Sequence, residues 1–261
     1  MPLMHTILFR YGNIALYTYG LMLAIAFLTG ITIAKKEAVR TGMDPDQIMD
    51  LSFYILVAAL LGARIFYILT DIRRFVDDPV EIIRIWNGGL VFYGGFIGAV
   101  IVAMLFMKKN RMPVWKTADI MAPGLVIGQA IGRIGCLFAG CCYGKVCDLP
   151  WAITFHHPES LAPVGIPLHP TQLYSVLAKA SIFLYLWLHR KNKRFDGELF
   201  WQYVFLYGLM RSAIEFFRGD FRGQTFINVF SISQVIGLSL AVFGGLMLIY
   251  LGRRHQKSGV S

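Results

Sequence analysis

Apolar residues fill bilayer-length stretches of this chain again and again, and polar residues gather in the gaps between them. Runs long enough to cross hydrocarbon as a helix, roughly 20 residues, occupy 13–34, 50–70, 88–107, 117–138, 170–188, 198–217 and 231–251. Their near-continuous apolar character lacks the alternation of a half-buried strand and predicts about seven transmembrane helices. The expected fold is an all-α integral membrane protein, one membrane domain over 1–261. Two connections stand out. Residues 139–169 combine Pro, Gly and polar residues with Cys141, Cys142, Cys147, His156, His157 and His169, which predicts a small ordered head. Residues 71–87 form an arm in which Asp71, Asp77, Asp78 and Glu81 alternate with apolar neighbours. Within it the stretch 75–86 predicts a short amphipathic helix at the headgroups, anchored by Trp86.

Charge orients these spans. Lys35, Lys36 and Arg40 share one side with Lys108, Lys109, Arg111 and Lys116, with Arg190, Lys191, Lys193 and Arg194, and with Arg253, Arg254 and Lys257. An excess of Lys and Arg marks cytoplasmic connections, so the N-terminus is expected outside, the C-terminus inside, and the head and arm outside. The composition agrees with a membrane chain: 56% of residues are hydrophobic and 15% charged, against about 25% charged in soluble domains. The net charge of +10 raises the question of nucleic acid, but the basic residues lie in short loops and no aromatic-basic platform accompanies them. No nucleic-acid partner is expected. The first apolar run follows Tyr11-Gly-Asn without a basic leader or a small-residue cleavage site, so no cleavable signal peptide is read.

Against this apolar background the buried cations carry the information. Arg133 lies in Gly128-Gln-Ala-Ile-Gly-Arg-Ile-Gly-Cys, and Arg64 and Arg211 are set in similar surroundings. A guanidinium does not shed its proton, and at a helix centre it costs about 2.5–3.5 kcal/mol to insert. Such residues face a protein-lined site and pair with anions. Glu215 follows Arg211 by one helical turn, and Tyr207, Arg211, Glu215 and Arg218 share a helix face. That pair has a packing reading too, but an ion pair in hydrocarbon adds little net stability, which favours function. Glycines 128, 132, 135 and 140 either let helices approach closely or leave room for a lipid headgroup beside Arg133. In Gly88-Gly-Leu-Val-Phe-Tyr-Gly-Gly-Phe-Ile-Gly, Tyr93 is either an interfacial aromatic or a hydroxyl offered to a ligand, with Gly94 and Gly95 leaving accessible backbone beside it. His169, in His-Pro-Thr-Gln-Leu-Tyr, either caps a helix opened by Pro170 or takes part in chemistry. Lys179 also falls within a span and either sits at membrane depth or snorkels, although it lies away from the expected cytoplasmic end. The four cysteines, Cys136, Cys141, Cys142 and Cys147, do not show paired CxxC spacing. Disulfides are their leading reading, and no metal or cofactor is assigned.

Taken in order, Tyr19-Gly-Leu-Met, Gly62-Ala-Arg, Trp86-Asn-Gly-Gly-Leu, Tyr93-Gly-Gly-Phe-Ile-Gly, Gly132-Arg-Ile-Gly with Gly140 and Gly144, His169-Pro-Thr-Gln-Leu-Tyr, and Tyr207 through Arg211 to Glu215-Phe-Phe-Arg resemble the prolipoprotein diacylglyceryl transferase family over nearly the whole chain. The resemblance implies a multi-pass enzyme of the bacterial inner membrane. It implies transfer of the diacylglyceryl group of phosphatidylglycerol to the lipobox cysteine of a preprolipoprotein signal peptide, with glycerol 1-phosphate as the other product. It makes Arg133, Arg211 and Glu215 catalytic, and Tyr93 joins them as a candidate from its own hydroxyl rather than from the family pattern. Arg133 with Tyr19, Arg64, Gly94, Gly95, Gly140, His169 and Tyr207 becomes the phosphatidylglycerol site. Two positions depart from the family pattern: many members have His where this chain has Tyr93, and Asn where it has Cys136. The proton acceptor for the thiol therefore stays open among Tyr93, His169 and Glu215.

Two other classes compete. An anion or lipid transporter also uses intramembrane arginines and glycine-interrupted spans, but no inverted repeat is visible. A thiol oxidoreductase or acyltransferase would use Cys141 or Cys142. On the arginine reading, serine at all four cysteines spares activity.

Overall fold

The computed structural model describes residues 7–11, 14–84, 88–220 and 230–258. The apolar runs become helices: α1 (Thr18–Thr41), α2 (Pro45–Thr70), the short α3 (Ile72–Asp77), α4 (Phe92–Lys109), α5 (Val114–Ala139), α6 (Thr171–His189), α7 (Glu198–Glu215) and α8 (Ile232–Ser258). Two small antiparallel sheets accompany them, β1 (Ile7–Tyr11) with β2 (Ile14–Tyr17) and β3 (Ile153–Thr154) with β4 (Pro167–Leu168). The helical expectation holds, but the first helix starts at Thr18 rather than 13. β-Branched and aromatic residues on both sides of Gly12-Asn13 are a hairpin signal, obscured in the sequence by the long apolar run beyond. Helix α2 starts earlier than expected, because Asp44 accepts a hydrogen bond from the Asp46 amide (2.9 Å) and Pro45 occupies the first helical position.

Five described helices, α1, α2, α4, α5 and α8, are long and apolar enough to cross a membrane. Helices α6 and α7 have 19 and 18 residues and carry Gln172 and Lys179, and Glu198, Arg211 and Glu215, among their apolar positions.

The chain divides into two compact units, Lys35–Thr117 and Met1–Ala34 with Ala118–Ser261. In the first, α2 and α4 cross at glycines: a Cβ on Gly94 would lie 2.3 Å from the Gly62 carbonyl oxygen. Beyond α2 the chain is held by Arg64. Its guanidinium donates to the carbonyls of Ile82 (3.1 Å), Gly88 (2.8 Å), Gly89 (3.1 Å) and Glu81. The 75–86 stretch is not one helix. Helix α3 stops at Asp77, and a 3-10 turn follows at Pro79–Ile82. The proline forces Asp78 out of helical geometry (φ −130°, ψ 85°), and the Asp78 carboxylate caps the new turn at the Val80 amide (3.2 Å). Trp86, the expected anchor, lies outside the described residues.

In the second unit, Ala122 and Val126 of α5, Ile182 and Leu186 of α6, and Leu199 and Tyr203 of α7 form the core. Asp119 locks one end of these helices. Its carboxylate accepts from Lys193 Nζ (2.8 Å) and from the amides of Gly197 (2.8 Å) and Phe200 (3.0 Å), so it both pairs with a cation and caps α7. At the other end, residues between α5 and α6 form an ordered non-helical segment. Phe155, Ala162 and Leu168 supply its own small core.

Candidate active site

Three helices of the second unit each bring one basic side chain to a common region. Arg133 comes from α5, Lys179 from α6 and Arg211 from α7, and Lys179 lies close enough to feel the charge of both arginines. Lys179 is 3% exposed, and its Nζ sits over the Tyr207 ring, 5.7 Å from the centroid. This overturns the snorkelling reading. Snorkelling needs a path for the head to reach water, and here the stem turns inward onto an aromatic face. Among the described residues Lys179 makes no hydrogen bond or ion pair. A fourth basic side chain, Arg218, lies just beyond α7. It is held bidentately by Asp220 (2.8 and 2.6 Å) and interacts with Arg133.

Arg211 and Glu215 pair at 2.5 Å, and Ser231 donates to the second Glu215 oxygen (3.1 Å). Both members are nearly covered, with 13% and 7% of their side chains exposed. The carboxylate is thus held from two sides, and it fixes where the guanidinium points. Tyr207, one turn before Arg211, stacks at a tilt on Tyr203 (5.8 Å), whose hydroxyl accepts from Gln129 (2.8 Å). Tyr19, in the first turn of α1, is 39% exposed and lies near enough to Arg133 to interact with it. Gly135 makes room for it, since a Cβ there would stand 3.1 Å from the ring. The close approach of α1 and α5 continues at Gly124, packed on the Gly30 carbonyl, and at Gly128, packed on Ala26. The helix-packing reading holds for Gly128 and Gly135, which stand on the Arg133 helix, whereas Gly132 meets only Leu23 at 3.8 Å.

Next to Arg133 the chain reverses direction. Gly140 ends α5 with φ 71°, and Cys142 takes φ 62°. A side chain on Gly140 would collide with Ser160 Oγ at 2.0 Å, so glycine is required there by both conformation and space. The turn gathers three thiols: the sulfurs of Cys136, Cys141 and Cys142 lie within 4.8 Å of one another. Arg133 Nη1 is 4.0 Å from the Cys136 sulfur. Hydrogen bonds from Cys136 and Cys141, followed by the charge of Arg133 and a hydrogen bond from Arg218, hold the Cys142 thiol below the ordinary cysteine range. This grouping was not legible from spacing, and neither was the position of Lys179.

His169 belongs to a neighbouring aromatic group. Its Nδ1 is 3.2 Å from the Tyr174 hydroxyl, which accepts from Trp151 Nε1 (2.9 Å), and its ring packs 5.3 Å from Phe217. With Leu149, Ala213 and Ile214 these residues line an apolar recess of about 430 Å³. The His169 backbone bonds to Gly144 and Lys145, which ties the segment after the thiols to the start of α6.

Arg64, Tyr93, Gly94 and Gly95 belong to the other unit. Arg64 spends its donors on main-chain carbonyls. Tyr93 opens α4 and is 58% exposed. Gly94 and Gly95 are buried against α2, so helix approach accounts for glycine at both positions, and the expected accessible backbone is covered there.

A sequence profile of the family described as prolipoprotein diacylglyceryl transferase matches residues 6–250. The phosphatidylglycerol–prolipoprotein diacylglyceryl transferase of Clostridium tetani is 36% identical over 242 residues, covering 92% of this chain and 95% of that protein. A second such transferase, of Clostridium perfringens, is 33% identical and covers 96% of each chain. The one from Trichormus variabilis is 34% identical over 98% of this chain and 93% of its own length.

Proposed function

The chain belongs to the prolipoprotein diacylglyceryl transferase family, and on that premise we propose that it moves the diacylglyceryl group of phosphatidylglycerol onto the lipobox cysteine of a preprolipoprotein, releasing glycerol 1-phosphate. It is a transferase and a multi-pass membrane protein. We further propose that it resides in the bacterial inner membrane with seven crossings, α6 and α7 included. The N-terminus is then outside, as are the 139–169 head and the 71–87 arm. The distribution of Lys and Arg supports this orientation.

The observation that carries the mechanism is the convergence of Arg133, Lys179 and Arg211 from three helices. The substrate sulfur attacks the glyceryl carbon, the C–O bond to phosphate breaks, and negative charge builds on the departing phosphate. Cations already in place, in a site poor in water, stabilise that charge without reorganising. Arg133 and Arg211 take this role, and Glu215 orients Arg211. Tyr19, Tyr207, Gly140 and His169 surround the headgroup. Arg64 acts within its own unit, by holding the backbone of Glu81, Ile82, Gly88 and Gly89. Among the described residues Glu215 is already committed to Arg211 and Ser231 and the His169 ring to Tyr174, so neither is a ready proton acceptor.

The test is reconstitution. Purified chain in phosphatidylglycerol micelles with a lipobox peptide is expected to yield diacylglyceryl-modified peptide and glycerol 1-phosphate in equal amounts. Movement of anions or lipid across vesicles with no modified peptide would replace this reading by the transport one.

A further inference from the structure

We propose that Cys136, Cys141 and Cys142 hold a zinc ion whose open fourth position takes the substrate cysteine as its thiolate. The inference rests on the transferase reading and supplies what that reading lacks, a means of making the nucleophile.

Three features carry it. The first is geometry. Zinc bound to thiolates is tetrahedral with Zn–S near 2.3 Å, which places the sulfurs roughly 3.8 Å apart. Here all three lie within 4.8 Å, so a closure of ~1 Å at most completes the triangle. The second is preorganisation. The Cys141 carbonyl accepts from Gln172 Nε2 (2.8 Å) and the Cys142 carbonyl from Thr171 Oγ1 (2.7 Å). Both donors are 1% exposed. The thiol-bearing turn is therefore clamped to the start of α6, and Cys142 is kept in a left-handed conformation that non-glycine residues seldom adopt. The third is charge. Three thiolates around a divalent ion leave one net negative charge, and a fourth thiolate leaves two. Arg133 and Arg218 stand beside the sulfurs to balance them. Soft thiolate ligands select zinc, which brings no redox chemistry of its own, and three protein ligands with a free position are the pattern of a reactive rather than a structural site.

A coordinated thiol loses its proton outright. The incoming lipobox S–H releases its proton to water as sulfur binds the ion. The sulfur pair then forms the C–S bond to the glyceryl carbon, while the electrons of the breaking C–O bond pass to the phosphate, which leaves as glycerol 1-phosphate beside Arg133. The neutral thioether is a weak ligand and departs, and the ion stays on its three cysteines. No protein side chain has to act as base, consistent with Tyr93 where many family members have histidine. The sequence-based expectation that four serines spare activity is reversed for three of the four positions.

The experiment is metal analysis of the full-length chain purified in detergent without chelator. About one zinc per polypeptide is expected, lost in Cys136→Ser, Cys141→Ser and Cys142→Ser and kept in Cys147→Ser. Stripping wild-type protein with chelator is expected to abolish transfer, and zinc to restore it, which tests the site without a substitution that disturbs folding. Cobalt(II) in place of zinc is expected to give thiolate-to-metal absorption that shifts when lipobox peptide is added and stays unchanged with its Cys→Ser analogue. Metal-free protein with undiminished turnover would overturn the inference, as would a disulfide among these three cysteines in active enzyme. Either result leaves the transferase reading intact. A peptide-dependent cobalt shift without any lipid product would support the metal site and count against the transferase reading instead.

Discussion

Arg211 and Glu215 show how little a single residue decides alone. The guanidinium is held by a carboxylate that is itself held by Ser231, so each member sets the direction of the next. Arg133→Ala or Arg211→Ala is expected to lower transfer by ~10²–10³-fold, the usual consequence of removing one preorganised donor, while the protein still inserts and purifies normally. Near-wild-type turnover by both variants would discard the assignment. Arg133→Lys keeps the charge but loses the planar fork, and turnover between wild type and alanine is expected. Tyr93→Phe separates the two routes to the thiolate: full activity removes its hydroxyl from consideration, and a complete loss restores it as base. Lys193 offers a test of stability rather than catalysis. Burial opposes its charge, but the hydrogen bonds and charges of Asp119 and Asp196 outweigh burial, and its pKa is raised. Its contribution is then complete below the ordinary lysine value of about 10.4 and lost as pH climbs through the folded value. The Tm difference between wild type and Lys193→Met should be constant up to about pH 10 and shrink above it.

At the scale of elements, helices were easy to foresee and their ends were not. Helix α1 shows why: apolar content continues through residues 14–17, but pairing with Ile7–Tyr11 takes them into a strand. The 75–86 stretch shows the reverse, where the local rule for Asp78-Pro79 was in plain view and outweighed amphipathic periodicity. What joins elements is also testable. Asp119 caps α7 across a separation of 78 residues and neutralises Lys193. Asp119→Ala leaves a largely covered cation without this partner and is expected to cost about 3–5 kcal/mol, read as a fall in Tm with loss of α7 protection in hydrogen exchange. Gly94→Leu sets a branched side chain against the Gly62 carbonyl, and it should separate α2 from α4 and lower extraction yield. Gly20→Leu, where nothing lies within 4 Å, serves as its control.

For the molecule as a whole, membrane topology is the outstanding prediction. A reporter enzyme active only outside the cytoplasm is expected to work when fused after Leu161 and to be silent after Lys109 or Lys193. Activity after Lys193 would mean that α6 does not cross, and five spans would then describe the chain better than seven. The membrane class and the family were present in the sequence by itself, as was the presence of Arg133, Arg211 and Glu215 within apolar runs. Hydrophobic length and a guanidinium within it are properties of one dimension, readable without knowing any neighbour. Only the tertiary structure decided which residues meet. It turned Lys179 onto Tyr207 between two arginines, spent Arg64 on main-chain carbonyls, pressed Gly94 and Gly95 onto a helix, and folded a turn with no recognisable metal spacing into three adjoining sulfurs. Those outcomes depend on where helices cross and how a loop reverses, and the distances they create between residues far apart in the chain are encoded in no local pattern.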